Sequence, residues 1–207
     1  LKAFMLLLLV VIIAFPFWQL IVSSMLDTNA IISYPPKFWP SGGSLSNYTE
    51  VLKMQGGAYL RWMLNSIFVA GSNTVLVVLV ASMAGYAFAK RKFPGSRVLF
   101  NVVVATQIIP SVTTLIPLFL IVSKLGWVNT YKSLIFPGVA SAFGVYMMTQ
   151  FMKDIPDSLL EAAKIDGCSN YGTFFKIVLP ITVPQLSLLA IFNFTQQWGS
   201  LTWPLIT

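Results

Sequence analysis

Histidine is absent from this chain, cysteine occurs once, and acidic residues number six in 207. Each shortage removes a class of function. Without histidine, the commonest metal ligand and the commonest general base are both missing. The single Cys168 can close no internal disulfide and completes no C-x-x-C zinc or redox pair. No G-x-x-x-x-G-K-[ST] run is present, so there is no phosphate loop with which to bind and hydrolyse ATP. Charge of either sign is scarce: Asp, Glu, Lys and Arg make up 9%, against about 25% in ordinary soluble domains.

Apolar residues take up the space. They form 57% of the chain, and the mean hydropathy is +0.79. So few charges could not cover the surface of a soluble domain, and lipid is the natural solvent. The net charge of +7 comes from scattered cations that border apolar runs. That pattern orients a membrane protein rather than lining a phosphate-binding stripe, so no nucleic-acid partner is expected.

A helical span needs about 20 mostly apolar residues. Five runs qualify: Ala3–Met25, Trp62–Ala89, Val98–Val122, Ser133–Met152 and Ile177–Thr195. The first opens behind a lysine like a secretion signal, but it is long enough to span and no A-x-A-like site follows, so it reads as a retained anchor. Ala81, Ser82, Ala84 and Gly85 in the second run would let another helix approach closely. The loop "KRKFPGSR" (Lys90–Arg97) holds four cations and is cytoplasmic by the positive-inside rule. Counting spans then places the N-terminus and the Lys153–Lys176 loop in the cytoplasm and the Asp27–Arg61 stretch outside. Tyr34, Trp39, Trp127 and Tyr131 suit the membrane interface as aromatic anchors. The first residue is Leu1 rather than Met, and five spans leave the C-terminus outside, so a sixth span is expected beyond Thr207. The expected fold is an all-α, polytopic membrane helix bundle, a single transmembrane domain over residues 1–207.

The Lys153–Lys176 loop holds seven of the nineteen charges and four of the six acids. Pro156 suits a helix start, with Asp154 or Ile155 as N-cap and Asp154 and Asp157 at the positive end of the helix dipole. Nothing from Asp157 to Asp166 breaks a helix. Asp157, Glu161 and Lys164 share one face, the last two at i, i+3 spacing. Gly167 permits a left-handed stop, and Ser169 can cap a second helix returning to the membrane. The result is a helix–turn–helix elbow. On these grounds alone, a docking surface and a solvated loop are equally open.

The residues Glu161-Ala162-Ala163, Gly167 and Ile177-x-Leu179-Pro180, with Ile165, Asp166 and Pro156, stand at the spacing of the EAA loop. They resemble the membrane subunits of bacterial ABC importers. "GYAFAKRKFPG" (Gly85–Gly95), "IIP" (Ile108–Pro110), "IPLF" (Ile116–Phe119), "LGWVNT" (Leu125–Thr130) and "WGSLTWPLI" (Trp198–Ile206) resemble the carbohydrate-uptake branch, and within it the maltose-permease-G-like subunits. Cys168, Gly172 and Gly199-Ser200 depart from that pattern. The resemblance implies six spans and a place in a bacterial plasma membrane. It implies a second permease, usually a different chain, a pair of cytoplasmic ATPases, and an extracytoplasmic solute-binding protein. ATP and Mg would be held by the ATPases, with no cofactor on this chain. Glu161, Ala162, Ala163, Lys164, Asp166 and Gly167 would belong to the coupling contact and its turn. Ile177, Leu179 and Pro180 would carry motion into the fifth span.

For the solute path the candidates are uncharged: Asn73, Gln107, Asn193, Gln196 and Gln197 as hydrogen-bonding groups, and Trp198 as a stacking face for a sugar ring. The competing role for each is joining helices or anchoring at the interface. No catalytic or metal-ligating residue is assigned. An ion-driven carrier or channel is the alternative, but it would show intramembrane charges that these runs lack. A membrane enzyme would lack a base for its nucleophile.

Overall fold

The computed structural model describes residues 2–207, with Leu1 outside the described residues. Every regular element in them is helical: α1 (Lys2–Ser24), α2 (Thr28–Ile31), α3 (Ser46–Lys53), α4 (Ala58–Lys90), α5 (Ser96–Ala105), α6 (Ser111–Lys124), α7 (Tyr131–Ile135), α8 (Ala142–Lys153), α9 (Asp157–Ile165), α10 (Asn170–Thr173), α11 (Leu179–Ile181), α12 (Val183–Trp198) and α13 (Thr202–Ile206). The chain divides into two compact units, Leu1–Leu64 and Asn65–Thr207.

In the first unit, α1 exposes almost every apolar side chain, as a helix bathed in lipid does. The turn-rich segment after it folds back along its second half. Trp18 Nε1 donates to the Phe38 carbonyl at 2.9 Å and Gln19 Nε2 to that of Lys37 at 3.2 Å. The Trp18 and Trp39 rings lie 5.3 Å apart. Asn47 Nδ2 ties the start of α3 to the carbonyls of Ser24 and Leu26. The expected interface aromatics Tyr34 and Trp39 are both exposed.

The second unit is built around α4. Its buried residues Ala70, Asn73, Thr74, Val77, Ala81, Ser82, Gly85 and Tyr86 recur every three or four positions and so form one face. Most are small, which lets α8 lie close. A Cβ on Gly85 would sit 2.7 Å from Met148 Cβ, and one on Gly144 would sit 3.0 Å from Ala81 Cβ. Side chains between helices in lipid gain little from hydrophobicity, so close backbone approach and dispersion hold this pair. Met148, Met152, Phe174, Val178 and Leu189 complete the core.

The expected spans are only partly continuous. Among the described residues two helical stretches are long and apolar enough to cross a membrane, Lys2–Ser24 and Ser46–Lys90, or up to four if each of two bent pairs is one span. The third expected run breaks into α5 and α6 with a 104° bend. Ile109 precedes Pro110 and is extended (φ −74°, ψ 119°), as the proline ring requires of its neighbour. The fourth run breaks at Phe136-Pro137-Gly138, leaving α8 only 12 residues long. The fifth bends by 78° between α11 and α12. Pro184 has no N–H to give the Pro180 carbonyl, and a π-helical turn at Phe174–Val178 precedes the bend. Thr182 ties the chain there twice over: its backbone N–H and its Oγ1 both donate to the carbonyls of Val178 and Leu179.

Candidate functional site

The Asp157–Ile165 helix forms as the charge pattern suggests, with Asp157 in its first turn and Lys164 in its last. Its N-cap is Pro156, extended at φ −59° and ψ 132°, not Asp154 or Ile155. A proline at that position gives no side-chain cap. The helix ends in a left-handed Gly167 (φ +77°). Gly167 N donates to Lys164 O at 3.1 Å and Cys168 N to Ala163 O at 2.9 Å. Those two bonds satisfy carbonyls that a helix end leaves open. Ser169 Oγ then accepts from Gly172 N at 3.1 Å and caps α10. Two caps thus fix the elbow, each supplied by the residue that the sequence put there.

One side of α9 is anchored. Ile155 and Ala163 are buried and Leu160 packs on the core. Beyond the turn, Phe174 and Val178 are buried, Ile177 and Leu179 are half-buried, and Pro180 is exposed. The Tyr86 ring of α4 lies 5.4 Å from that of Phe174. Arg91 donates to the Tyr86 hydroxyl at 2.8 Å and lies 5.2 Å from its ring centre.

A second side faces an open cleft of about 740 Å³ against the α4–α5 turn. Asp157, Glu161 and Lys164 meet Lys90, Arg91 and Lys92 across it. Among the described residues one ion pair forms, Lys90 Nζ to Asp157 Oδ1 at 2.8 Å. The i, i+3 pair of Glu161 and Lys164 is not made. The Lys90 hydrogen bond, and then its charge, hold the Asp157 carboxyl below the ordinary carboxylate range, with a smaller contribution from Lys92.

The third side is free. Leu159, Ala162 and Ile165 stand at i, i+3, i+6 and are exposed, Ile165 at 86%. This apolar ridge on so charged a segment was not singled out from the sequence, although its spacing is visible there.

The uncharged candidates fall elsewhere. Asn73 is 1% exposed. Its Nδ2 donates to Ile135 O at 2.6 Å, and its Oδ1 accepts from Asn193 Nδ2 at 2.9 Å. Asn193 also donates to Thr74 Oγ1 at 3.1 Å. Gln197 Nε2 donates to Leu134 O at 3.0 Å and Trp203 Nε1 to Ser133 O at 2.8 Å. These groups form one seam between α4, α7 and α12–α13. Gln107 and Gln196 are exposed and apart from it, as is Trp198, which stacks on Phe194 at 5.7 Å.

Residues 77–207, which contain both the elbow and most of the seam, match the family model described as the binding-protein-dependent transport system inner membrane component. The chain belongs to that family. It is therefore a multi-pass permease subunit of an ABC importer. Such systems work with an ATPase and a solute-binding protein. The chain is 34% identical to the arabinooligosaccharides transport system permease protein AraQ of Halalkalibacterium halodurans, over 94% of this chain and 70% of that one. It is 36% identical to the alpha-glucoside transport system permease protein AglG of Rhizobium meliloti, over 81% and 44%. It is 30% identical to the sn-glycerol-3-phosphate transport system permease protein UgpE of Salmonella typhi, over 98% and 73%. The permease family and its all-helical membrane fold agree with the resemblance carried by the EAA spacing.

Proposed function

We propose that this permease forms one half of the pathway of an ATP-driven importer for a sugar or oligosaccharide, and that the elbow is where its ATPase docks. The observation that carries the docking is the exposed Leu159–Ala162–Ile165 ridge. A free-standing loop gains nothing by holding an isoleucine in water, whereas a partner cleft that covers it gains apolar burial. Ala162 adds little bulk, so the partner can reach the helix backbone. Glu161, Lys164 and Asp166 form the charged rim, and Gly167 sets the turn. Ile177, Leu179 and Pro180 carry displacement of the elbow toward the α11–α12 bend. The sugar class rests on the uptake systems for which the relatives are named. The second permease is proposed as a different chain, and the elbow and the N-terminus as cytoplasmic. ATP and Mg belong to the ATPase pair.

For solute contact, Gln107 and Trp198 are the better placed of the candidates, because their polar or aromatic faces are exposed. Asn73, Asn193 and Gln197 serve the pathway indirectly, by fixing the helices that border it.

The test is cross-linking in the full-length, assembled transporter. With Ile165→Cys in a Cys168→Ser background, a short thiol cross-linker should join this chain to the ATPase carrying a cysteine in its docking cleft. Failure to cross-link from both Ile165 and Leu159 to any ATPase position would refute the docking.

A further inference from the structure

We infer that Lys90 is a positioning residue that locks the elbow to α4, so that α4, α8 and the elbow move as one body when the ATPase moves. This rests on the docking role proposed above. The side chain of Lys90 is only 6% exposed, at the very end of α4. All three of its ammonium protons find acceptors: Lys153 O at 3.1 Å, Ile155 O at 2.6 Å and Asp157 Oδ1 at 2.8 Å. Those acceptors belong to three successive pieces of chain: the last residue of α8, the link after it, and the first turn of α9. The ammonium also lies at the negative end of the α8 dipole. A buried ammonium is costly unless fully paired, and here every proton is used on the elbow's near end.

The clamp sits about one and a half turns beyond the close contact of Gly85 with Met148. Close packing therefore joins α4 to α8, and Lys90 extends that joint to α9. At the other end of the elbow, Tyr86 of α4 meets Phe174. The elbow is thus gripped at both ends by one helix, and displacement of the ridge passes to α4 directly as well as along the chain into α11.

The experiment uses the assembled full-length transporter with spin labels at the native Cys168 and at Met83→Cys on the exposed side of α4, other cysteines replaced. Distances are compared without nucleotide and with ATP trapped by vanadate. With Lys90 present, the elbow–α4 distance should be the same in both states. Lys90→Met should split or broaden it, raising the detached population roughly tenfold or more, the equivalent of losing about one charge-assisted hydrogen bond. Lys90→Arg should restore much of the single distance. Asp157→Asn, an exposed change that leaves the two carbonyl contacts, should give a smaller shift in the same direction and serves where Lys90→Met does not assemble. An unchanged distance in both Lys90→Met and Asp157→Asn overturns the clamp. So does a wild-type distance that itself changes with nucleotide. Failure of the docking reading is separate: it appears as Ala162→Arg leaving ATPase binding intact, whatever the Lys90 variants do.

Discussion

The elbow and the Asn73 seam are both polar places in an oily protein, yet they are built in opposite senses. In the seam, Asn73, Asn193, Gln197 and Trp203 turn inward and join one another or a backbone carbonyl. In the elbow, a buried cation holds the inner side, while the outer side offers an apolar ridge left exposed among the described residues. Polar groups that are spent inside the chain maintain its shape. Apolar groups left exposed on a charged helix are available to something else. The contrast fits an architectural role for the seam and the docking role proposed for the elbow.

The comparison can be broken most severely where the helices touch. Gly85→Leu would drive a side chain into the Met148 backbone and should cost about 3 kcal/mol. The check is the steric-trap or denaturant stability of the purified permease, together with its yield in the membrane. Asn73→Leu should cost about 1–2 kcal/mol by leaving Asn193 and Ile135 O short of partners, with helix–helix hydrogen bonds in lipid setting the scale. The same assay should find Gln107→Leu neutral. If Asn73→Leu kept full stability but abolished solute binding, the seam would belong to the pathway instead.

On the elbow side, Gly167→Ala strains a left-handed residue and should destabilise the turn by about 1 kcal/mol. Amide exchange at Gly167 and Cys168 would report it, with the rest of the chain unchanged. The smallest effect concerns pH. Because Lys90 lowers the Asp157 pKa, the contribution of this ion pair is fully present above the ordinary carboxylate pKa. It is lost only as pH falls through the lowered value. The spin-label distance between Cys168 and Met83→Cys should therefore be unchanged from about pH 8 to about pH 5.

Much of this was legible in the sequence, for physical reasons that differ by site. The caps at Gly167 and Ser169 and the close approach at Ala81 and Gly85 are local or depend on residue size, so residue identity decides them. The EAA spacing placed the chain in its family. The breaks in the third to fifth runs were harder. Pro110 and Pro117 stand in the same run, yet Pro117 lies inside α6 while Pro110 marks a 104° bend. Proline identity alone does not separate the two. The Lys90–Asp157 pair joins residues 67 apart, and no local rule finds such a partner. The local rule pointed to Glu161–Lys164, a pair that is not made.

The most direct test of the central claim is Ala162→Arg in the full-length permease, co-expressed with its ATPase and partner permease. The account predicts that the permease reaches the membrane folded while the ATPase no longer co-purifies, and that solute-stimulated ATP hydrolysis in liposomes is lost. Normal co-purification and normal stimulated hydrolysis would contradict it, and would return the elbow to the role of a solvated loop.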